Sequence, residues 1–552
     1  MQATRLLALG IVVLAFLLRI FHLGFQQLWL DEALSFHIAS LETGLGRVLG
    51  LESSPPLYYL LLRLWLPVAG TSEAAVRLPS AVAGTLGVLA IMWTGRQIFS
   101  SSVGLWAGAF CAVAPIHVYY SQEARTYTLL TLALALTYGL LWRAMQRNTR
   151  TGWGLTAASA LAALYSHYLA IFGLAPTLLV LWAWPYDAAT GLRRRRFVMT
   201  CLLTTGLYAP WLIWAFLLTS RADIVDVSTF WAELWRATPP AMAIPRSLEL
   251  AALGPQRDLM MIHMKQFVTV RLPDPLRWLG LVMLMGLGLL VAVPWRDAAL
   301  KVPWLGRRKA WAASLLVVPL AGLWLVSLSH PIYVPGRYDQ VAFVGFALMV
   351  GIAFAKLQAV PTYGSILVAV AALGLFAPMA TKLTLYYAAP ADREAETTAQ
   401  AVHLLVQNGD VAVFDALRGI PILHYYLPRL GYDWQNATCR NREQHREFTC
   451  RMFPLEMEKT FIPSARRTPE QTRAAVATFL SAASATRGQL WVLLFDGGIV
   501  NGVLGSSRPE DLALVEELVR VGYQPDTVNF GNVPAMYLFQ RYTPGIAQPR
   551  GG

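Results

Sequence analysis

Charged residues are scarce in this sequence. Only 14% of the 552 residues are charged, whereas 56% are hydrophobic. Soluble chains carry about 25% charged residues, so this composition excludes an ordinary soluble protein and favours an integral membrane protein. Acidic residues are outnumbered by basic ones, 32 against 45, which gives a net charge of +13. Because the cations fall mostly between apolar segments, we interpret them as fixing membrane orientation, not as binding nucleic acid.

Cysteine is also scarce, with four residues in the chain. Cys111 and Cys201 lie inside apolar segments, where they are expected to be packing residues. Cys439 and Cys450 lie in a polar stretch of the C-terminal part. If that part faces an oxidising compartment, these two predict a disulfide; in a cytosolic domain they would be two free thiols. The topology described below favours the disulfide.

A small-residue cleavage site is missing after the first apolar segment, so we expect a retained transmembrane helix there. A spanning helix needs about 20 apolar residues, and about eleven such segments occur. They lie near residues 6–21, 79–98, 103–119, 127–145, 153–166, 168–185, 197–219, 276–294, 311–329, 339–357 and 362–380. The fold class expected is an α-helical integral membrane protein.

The division of residues 153–185 into two helices at His167 follows from the charge pattern. With a cytoplasmic N-terminus, this division places four basic loops inside, as the positive-inside rule requires. They contain Arg143/Arg147/Arg150, Arg193–Arg196, residues 296–309 and Lys356. A single helix over 153–185 would place the four-arginine run on the other side.

The chain changes character near residue 383. Residues 1–382 are predicted to form the transmembrane domain, with long outer loops at 22–77 and 220–275 that contain interfacial elements. Residues 383–552 are predicted to form a small α/β domain with a partly parallel sheet, placed outside by the odd number of spans. Its expected elements are helices at 392–407, 468–485 and 509–520 and strands at 409–415, 489–496 and 535–541. The tail after Thr543 is expected to be disordered.

Asp31 and Glu32 stand side by side just after the first apolar segment. Carboxylates so close to hydrocarbon are costly unless they reach water or have a function. The alternative is a pair at a helix N-terminus, favoured by the helix dipole. Further polar clusters return to the same predicted side of the membrane, at 123–125, 167–168 and 337–339. Acids, bases and phosphate-binding cations gathered on one face indicate an enzyme.

Four segments in this order resemble a known family. They are Asp31-Glu32, residues 54–59 (SPPLYY), residues 73–80 (EAAVRLPS) and residues 115–127 (PIHVYYSQEARTY). This pattern resembles the GT-C membrane glycosyltransferases of the protein O-mannosyltransferase superfamily (glycosyltransferase family 39-like), which includes the transferases that add aminoarabinose to lipid A. The resemblance extends to about residue 220 and continues more weakly through Tyr333–Tyr338; the C-terminal domain is similar only in being extracytoplasmic and α/β.

The resemblance implies a polyprenyl-phosphate-linked sugar donor, inversion at the anomeric carbon, and Asp31 as the general base. Desolvation raises the pKa of a carboxylate near hydrocarbon and a nearby cation lowers it, which suits a base acting near neutral pH. Glu32 is predicted either as a second, acceptor-binding acid or as a structural residue. Most members of the resembling subgroup act without a metal. No cofactor is therefore expected, although a divalent metal stays open, and the histidines show no HxxH-like spacing.

Glu123 is predicted to bind acceptor or sugar, and Arg125 to contact the donor phosphate, because a guanidinium donates two parallel hydrogen bonds. The alternative is an ion pair in an interfacial aromatic belt. For Arg337 and Tyr338 the resemblance implies contact with the phosphate too, and snorkelling at the interface is the alternative.

His167 and Tyr168 are predicted to bind sugar or substrate, and a hydrogen-bonded structural histidine is the other interpretation. Tyr58 and Tyr59 are predicted to line the donor groove, with interface anchoring as the alternative.

Taken with the resemblance, the sequence predicts an inverting, polyprenyl-phosphate-sugar-dependent glycosyltransferase. Its acceptor is a lipid, glycan or protein hydroxyl at the outer face of a bacterial-type inner membrane. A transporter or flippase of lipid-linked sugars, or a polymerase of surface saccharides, is the alternative. A transporter is expected to show repeats and broken helices at mid-membrane, and neither is clear in the sequence. An assembly protein that recruits partners through its C-terminal domain is the third class.

Overall fold

A computed structural model gives the structure of the chain. It describes residues 2–40, 54–185, 189–221, 240–255, 271–295, 297–303, 305–391, 394–415, 419–435, 438–441, 443–453, 489–495, 498–500, 503–505, 516, 520, 523–526 and 537–544. The helices expected at 468–485 and 509–520 and the disordered tail beyond Pro544 lie outside these residues, apart from two isolated positions of the second helix.

The chain divides into two compact units, which are not contiguous in sequence. The first comprises residues 1–24, 54–215 and 227–390. The second comprises residues 25–53, 216–226 and 391–552. Part of the long loop expected at 22–77 therefore belongs with the C-terminal α/β fold.

Helices make up nearly all of the first unit as described. Those within it or reaching into it are α1 (Gln2–Ile20), α3 (Leu57–Ala69), α4 (Glu73–Ile98), α5 (Ser101–Val113), α6 (Pro115–Ser121), α7 (Tyr127–Arg147), α8 (Arg150–Ser166), α9 (Ala170–Leu174), α10 (Val180–Ala183), α11 (Thr190–Arg221), α12 (Pro240–Leu253), α13 (Asp274–Ala292), α14 (Leu305–Ser327), α15 (Phe343–Gln358) and α16 (Gly364–Ala388). Short 3-10 helices occupy Ala175–Leu179, Asp297–Leu300 and Tyr338–Ala342.

Eight helices of the described residues are long and apolar enough to cross a membrane. The pair α5 and α6, bent by 64°, makes a ninth if it is one span. About eleven spans were expected, and the count stays a prediction. In place of the continuous helix expected at 168–185, the chain forms α9, a 3-10 turn and α10. Pro176 lies in that turn, and a proline has no N–H to donate to the carbonyl four residues earlier, so the α-helix breaks there.

A fully buried arginine holds the break between α5 and α6. Arg19 donates to the carbonyls of Cys111 and Ala112 at 3.1 and 3.0 Å. It also donates to Ser121 Oγ at 3.1 Å and lies 2.9 Å from His117 Nδ1. The last carbonyls of a helix have no partner within it, so the guanidinium satisfies groups that the break exposes inside the bundle.

Three charged side chains form a cluster near the end of α13, the start of α14 and the end of α15. Asp297 lies 2.5 Å from Lys309 Nζ and 2.8 Å from Lys356 Nζ. Lys356 also donates to the carbonyls of Leu290 and Val293 at the end of α13. The cluster therefore joins α13, α14 and α15 through one carboxylate.

The second unit contains a seven-stranded sheet in the order β2-β3-β4-β1-β5-β9-β8. Its strands are β1 (Val411–Asp415), β2 (Tyr432–Gln435), β3 (Thr438–Asn441), β4 (Arg446–Phe453), β5 (Leu490–Phe495), β8 (Tyr523–Asp526) and β9 (Tyr537–Pro544), and β6 (Gly498–Val500) pairs with β7 (Val503–Gly505) in a separate ribbon. β1 is parallel to β4 and β5, and the other pairs are antiparallel. The α/β fold with a partly parallel sheet is confirmed.

Helix α2 (Leu30–Ser40) belongs to this second unit, with α17 (Glu394–Leu405), α18 (Gly419–Tyr426) and a 3-10 turn at Leu427–Leu430. Gln27 Oε1 accepts the N–H of Ala395 at 2.6 Å and so caps α17. The rings of Phe36 and Tyr425 meet edge to face at 4.8 Å, which packs α2 on α18. In the sheet, Cys439 on β3 is bonded to Cys450 on β4.

Candidate active site

The segment after α6, residues 122–126, is fixed by Gln122. The Gln122 amide donates to the carbonyls of Arg19 and Phe21 at 3.2 and 2.6 Å, at the end of α1. Its Oε1 accepts from the Tyr386 hydroxyl at 3.0 Å. Three helices thus determine where Glu123 and Arg125 lie, and both side chains are buried.

Arg125 lies against the start of α3 and α4. Its guanidinium reaches the hydroxyl of Tyr59 at 3.5 Å, and its carbonyl accepts from Ser80 Oγ at 3.1 Å. Ser80 in turn lies 2.9 Å from the hydroxyl of Tyr58. Both tyrosines expected at the donor groove are therefore buried beside the Arg125 segment, one of them in contact with the guanidinium.

Arg337 comes from the loop between α14 and α15. Its Nε donates to the Tyr127 hydroxyl at 2.7 Å, and its guanidinium carbon lies 5.9 and 5.7 Å from the ring centroids of Tyr127 and Tyr338. The side chain is only 6% exposed. The aromatic rings hold the cation in an orientation that a solvated arginine would not keep.

His167 joins these two arginine-bearing loops. The Thr126 hydroxyl donates to the Ser166 carbonyl at 2.7 Å, which ties the loop after α6 to the end of α8. The His167 ring centroid lies 5.9 Å from that of Tyr127, 4.6 Å from that of Tyr168 and 5.7 Å from that of Tyr338.

Burial, together with the charges of Arg125 and Arg337, lowers the pKa of His167 to about 3. The imidazole is therefore neutral over the physiological pH range. Its Nδ1 accepts the Leu169 N–H at 3.1 Å, so in the neutral ring the hydrogen lies on Nε2. The neutral ring therefore keeps one N–H group, on Nε2, that is able to donate a hydrogen bond.

Two guanidinium groups and one carboxylate act on the same buried aromatic groups. Arg125, Arg337 and Glu123 all influence the Tyr127 hydroxyl electrostatically. With His167 neutral, these groups carry a net charge of +1. A buried cluster of net positive charge with forked donors favours a phosphate-sized anion.

Asp31 and Glu32 lie in the first turn of α2 in the second unit, whereas Arg125 and Arg337 belong to the first. Glu32 is 1% exposed, and its Oε2 accepts the Trp29 N–H at 3.3 Å. A carboxylate that reaches back to the N-cap N–H is half of a capping box, so the helix N-terminal alternative applies to Glu32. The role of Asp31 as base stays a prediction.

The site residues that the sequence predictions missed are mainly Tyr120, Tyr127, Ser80 and Asp339. Tyr120 donates to the Gly336 carbonyl at 2.7 Å, and its ring centroid lies 4.5 Å from that of Tyr127. Both tyrosines are part of the 115–127 motif and Asp339 follows Tyr338 directly, so the signal was their adjacency to residues already selected.

Metal binding was left open by the sequence. Among the residues that the structure describes, no group of three or more histidine, cysteine, aspartate or glutamate side chains could hold a metal ion.

The chain is similar to one family model and to several solved structures. A family model described as dolichyl-phosphate-mannose-protein mannosyltransferase matches residues 53–214, which include Glu123, Arg125 and His167. ArnT from Cupriavidus metallidurans matches in its form bound to undecaprenyl phosphate, with a TM-score of 0.55 and 13% identity over 98% of this chain and 99% of that one. Its apo form matches with a TM-score of 0.55 and 12% identity over 98% of both chains.

A third match is the apo oligosaccharyltransferase of Archaeoglobus fulgidus, with a TM-score of 0.52 and 10% identity over 89% of this chain and 69% of that one. The chain has a GT-C glycosyltransferase-like fold. No match is found among curated proteins. Its candidate membrane helices and this GT-C fold identify a multi-pass membrane protein.

Proposed function

We propose that this GT-C protein is an inverting glycosyltransferase. It moves a sugar from a polyprenyl-phosphate donor to an acceptor hydroxyl at the extracytoplasmic membrane face. The observation that carries the proposal is the convergence of Arg125, Arg337, Glu123 and neutral His167 on one buried aromatic cluster. Its chemistry fits a lipid-linked phosphate and the sugar attached to it.

The donor phosphate binds between the two guanidinium groups. Arg125 and Arg337 offer forked N–H donors to its oxygens, and the His167 Nε2–H adds a neutral donor. Positive charge here stabilises the leaving group more as the bond to the sugar lengthens and the phosphate gains charge, which is the condition for catalysis.

In the transfer step, the acceptor hydroxyl loses its proton to the Asp31 carboxylate. The acceptor oxygen forms a bond to the anomeric carbon as the bond from that carbon to the phosphate oxygen breaks. Polyprenyl phosphate leaves with the bonding electrons, and the configuration inverts. Glu123 binds the acceptor or sugar hydroxyls, and we propose that the step needs no metal.

The disulfide between Cys439 and Cys450 supports an extracytoplasmic C-terminal unit, because such bonds persist in oxidising compartments. A bacterial-type inner membrane with a cytoplasmic N-terminus is part of the same proposal.

The test uses the full chain in nanodiscs with radiolabelled polyprenyl-phosphate sugars and a panel of lipid, glycan and peptide acceptors. Release of polyprenyl phosphate with transfer of the label, unchanged by a chelator, is the expected result. Asp31→Asn should abolish transfer and keep donor binding, whereas Glu443→Gln, an exposed acid of the second unit, should remain active. Movement of intact donor across a vesicle membrane without sugar release would instead indicate a flippase.

Donor binding is tested separately. Arg125→Ala should weaken binding of polyprenyl phosphate, whereas Arg440→Ala, which removes an exposed cation paired with Glu447, should not. Equal affinities for the wild type and Arg125→Ala would count against the phosphate role.

A further inference from the structure

In the loop that carries Arg337, both the backbone N–H and the carbonyl of Gly336 are hydrogen-bonded to side chains. The Gly336 N–H donates to Asp339 Oδ2 at 2.7 Å. Its carbonyl accepts from the Tyr120 hydroxyl at 2.7 Å and from the Gln340 amide at 3.3 Å. These three side chains are at most 7% exposed. The peptide groups on both sides of Gly336 are thus fixed by buried partners.

This fixation bears directly on Arg337, which follows Gly336 in the chain. Gly336 has φ of +82°, a left-handed conformation that residues with a Cβ rarely adopt. The N–H groups of Arg337 and Tyr338 both donate to the Val334 carbonyl at 3.1 Å. A tight turn of this kind determines the direction in which the Arg337 side chain leaves the backbone, and that direction leads it to Tyr127.

Asp339 has no part in the proposed transfer, yet burial of its carboxylate is costly unless it is hydrogen-bonded. Its contact with Gly336 spans only three residues, from the first residue of the turn to the last. The carboxylate therefore closes the turn as the back-reaching acid of a capping box does, with Arg337 inside the closed segment.

We propose that Asp339 is a positioning residue that holds the Arg337 guanidinium at the donor phosphate by closing the turn at Gly336. The inference rests on the proposed function, since it gives Arg337 its phosphate role. Asp339 acts before the ligand arrives, so that little ordering of the loop has to accompany binding. Tyr120, on α6, supports the next peptide group, between Gly336 and Arg337.

The experiment measures binding of undecaprenyl phosphate to the full chain in nanodiscs for the wild type, D339A, R337A and the double variant. Loss of a buried hydrogen-bonded acid should weaken binding roughly tenfold in D339A. R337A should weaken it by at least about 30-fold. D339A should add nothing in the R337A background, because its effect passes through the arginine.

Rescue separates positioning from general loss of structure. D339N keeps an oxygen for the Gly336 N–H and should bind within about threefold of the wild type. Y120F removes the hydroxyl that donates to the Gly336 carbonyl and, like D339A, should weaken binding. It replaces D339A in the test if D339A does not fold. D274A, which removes an exposed acid of the same unit paired with Arg271, should leave binding unchanged.

Two outcomes would overturn the inference while the phosphate role of Arg337 survives. One is wild-type binding in D339A and Y120F alongside weakened binding in R337A. The other is an equal loss from D339A in the presence and absence of Arg337. Unchanged binding in R337A would remove the phosphate role itself, and the positioning role with it.

Discussion

Arg337 Nε donates a 2.7 Å hydrogen bond to the hydroxyl of Tyr127, a residue 210 positions earlier in the chain. This bond joins the loop before α15 to the first residue of α7. The candidate phosphate site is therefore assembled from segments that are far apart in the sequence. Its geometry depends on how α7 and α15 pack together.

Replacing Arg337 by lysine keeps the charge but removes the planar fork and the Nε donor. We expect the KM for the donor to rise about tenfold, because an ammonium group makes one contact where the guanidinium makes two. Kinetics with a labelled donor measure this change. Arg440→Lys, at an exposed ion pair, is the control and should behave as wild type. Wild-type KM in Arg337→Lys would show that charge alone suffices.

His167→Gln should make stability less dependent on pH. Burial and two nearby arginines lower the pKa of His167 from 6.5 to about 3 in the folded chain. Between these values the unfolded chain binds a proton that the folded chain excludes, so wild-type stability falls as the pH falls from 6.5. This histidine contributes a slope of up to about 1.4 kcal/mol per pH unit.

Unfolding temperatures in detergent, measured from pH 7 to pH 5, check this expectation. The loss on acidification should be smaller in His167→Gln than in the wild type. His330→Gln, at an exposed histidine, should follow the wild-type curve. Parallel curves for His167→Gln and wild type would contradict a neutral His167.

Asp297→Asn should destabilise the cluster that joins α13, α14 and α15. Burial alone raises the pKa of Asp297, but hydrogen bonds from Lys309 and Lys356 outweigh it, so the pKa lies below the usual 3.8. A depressed pKa means that this stabilisation is present above pH 3.8 and is lost as the pH falls through the lower folded value.

The measurement is the unfolding temperature of Asp297→Asn, which should lie below that of the wild type at pH 7 and approach it in acid. Asp274→Asn, at an exposed pair with Arg271, should change little. A temperature unchanged at pH 7 would show that the two lysines are held without the carboxylate.

Removing the disulfide should destabilise the second unit. Cys439 and Cys450 close a loop with a sequence separation of 11, and a crosslink of this size contributes about 3 kcal/mol by restricting the unfolded chain. Thermal unfolding of the Cys439→Ser/Cys450→Ser variant should begin at a lower temperature. A reductant should lower the wild-type transition and leave the variant unchanged; a response in the variant would assign the effect to another group.

Most helices and strands could be predicted from the sequence because the patterns that indicate them are local. Apolar runs of spanning length predicted the long helices, and short apolar runs within 409–415 and 489–496 predicted the two central strands observed as β1 and β5. The break within 168–185 was missed, although Pro176 marks it, because hydrophobic length outweighed the proline in that prediction. Within the loop expected at 22–77, the sequence allowed a helix starting at Asp31-Glu32 but did not show that this helix, α2, belongs to the second unit.

For the site, polar residues next to apolar segments, together with the family resemblance, selected Glu123, Arg125, His167 and Arg337. Tertiary structure alone decided that these four share one aromatic cluster and that His167 is neutral there. It also decided that α2, with Asp31, belongs to the unit formed by the C-terminal sheet. The length of an apolar segment can be read from the local sequence, so the sequence alone indicates the membrane helices. Burial and hydrogen bonds between distant residues leave no local signal, so the arrangement of the site is determined only by the tertiary structure.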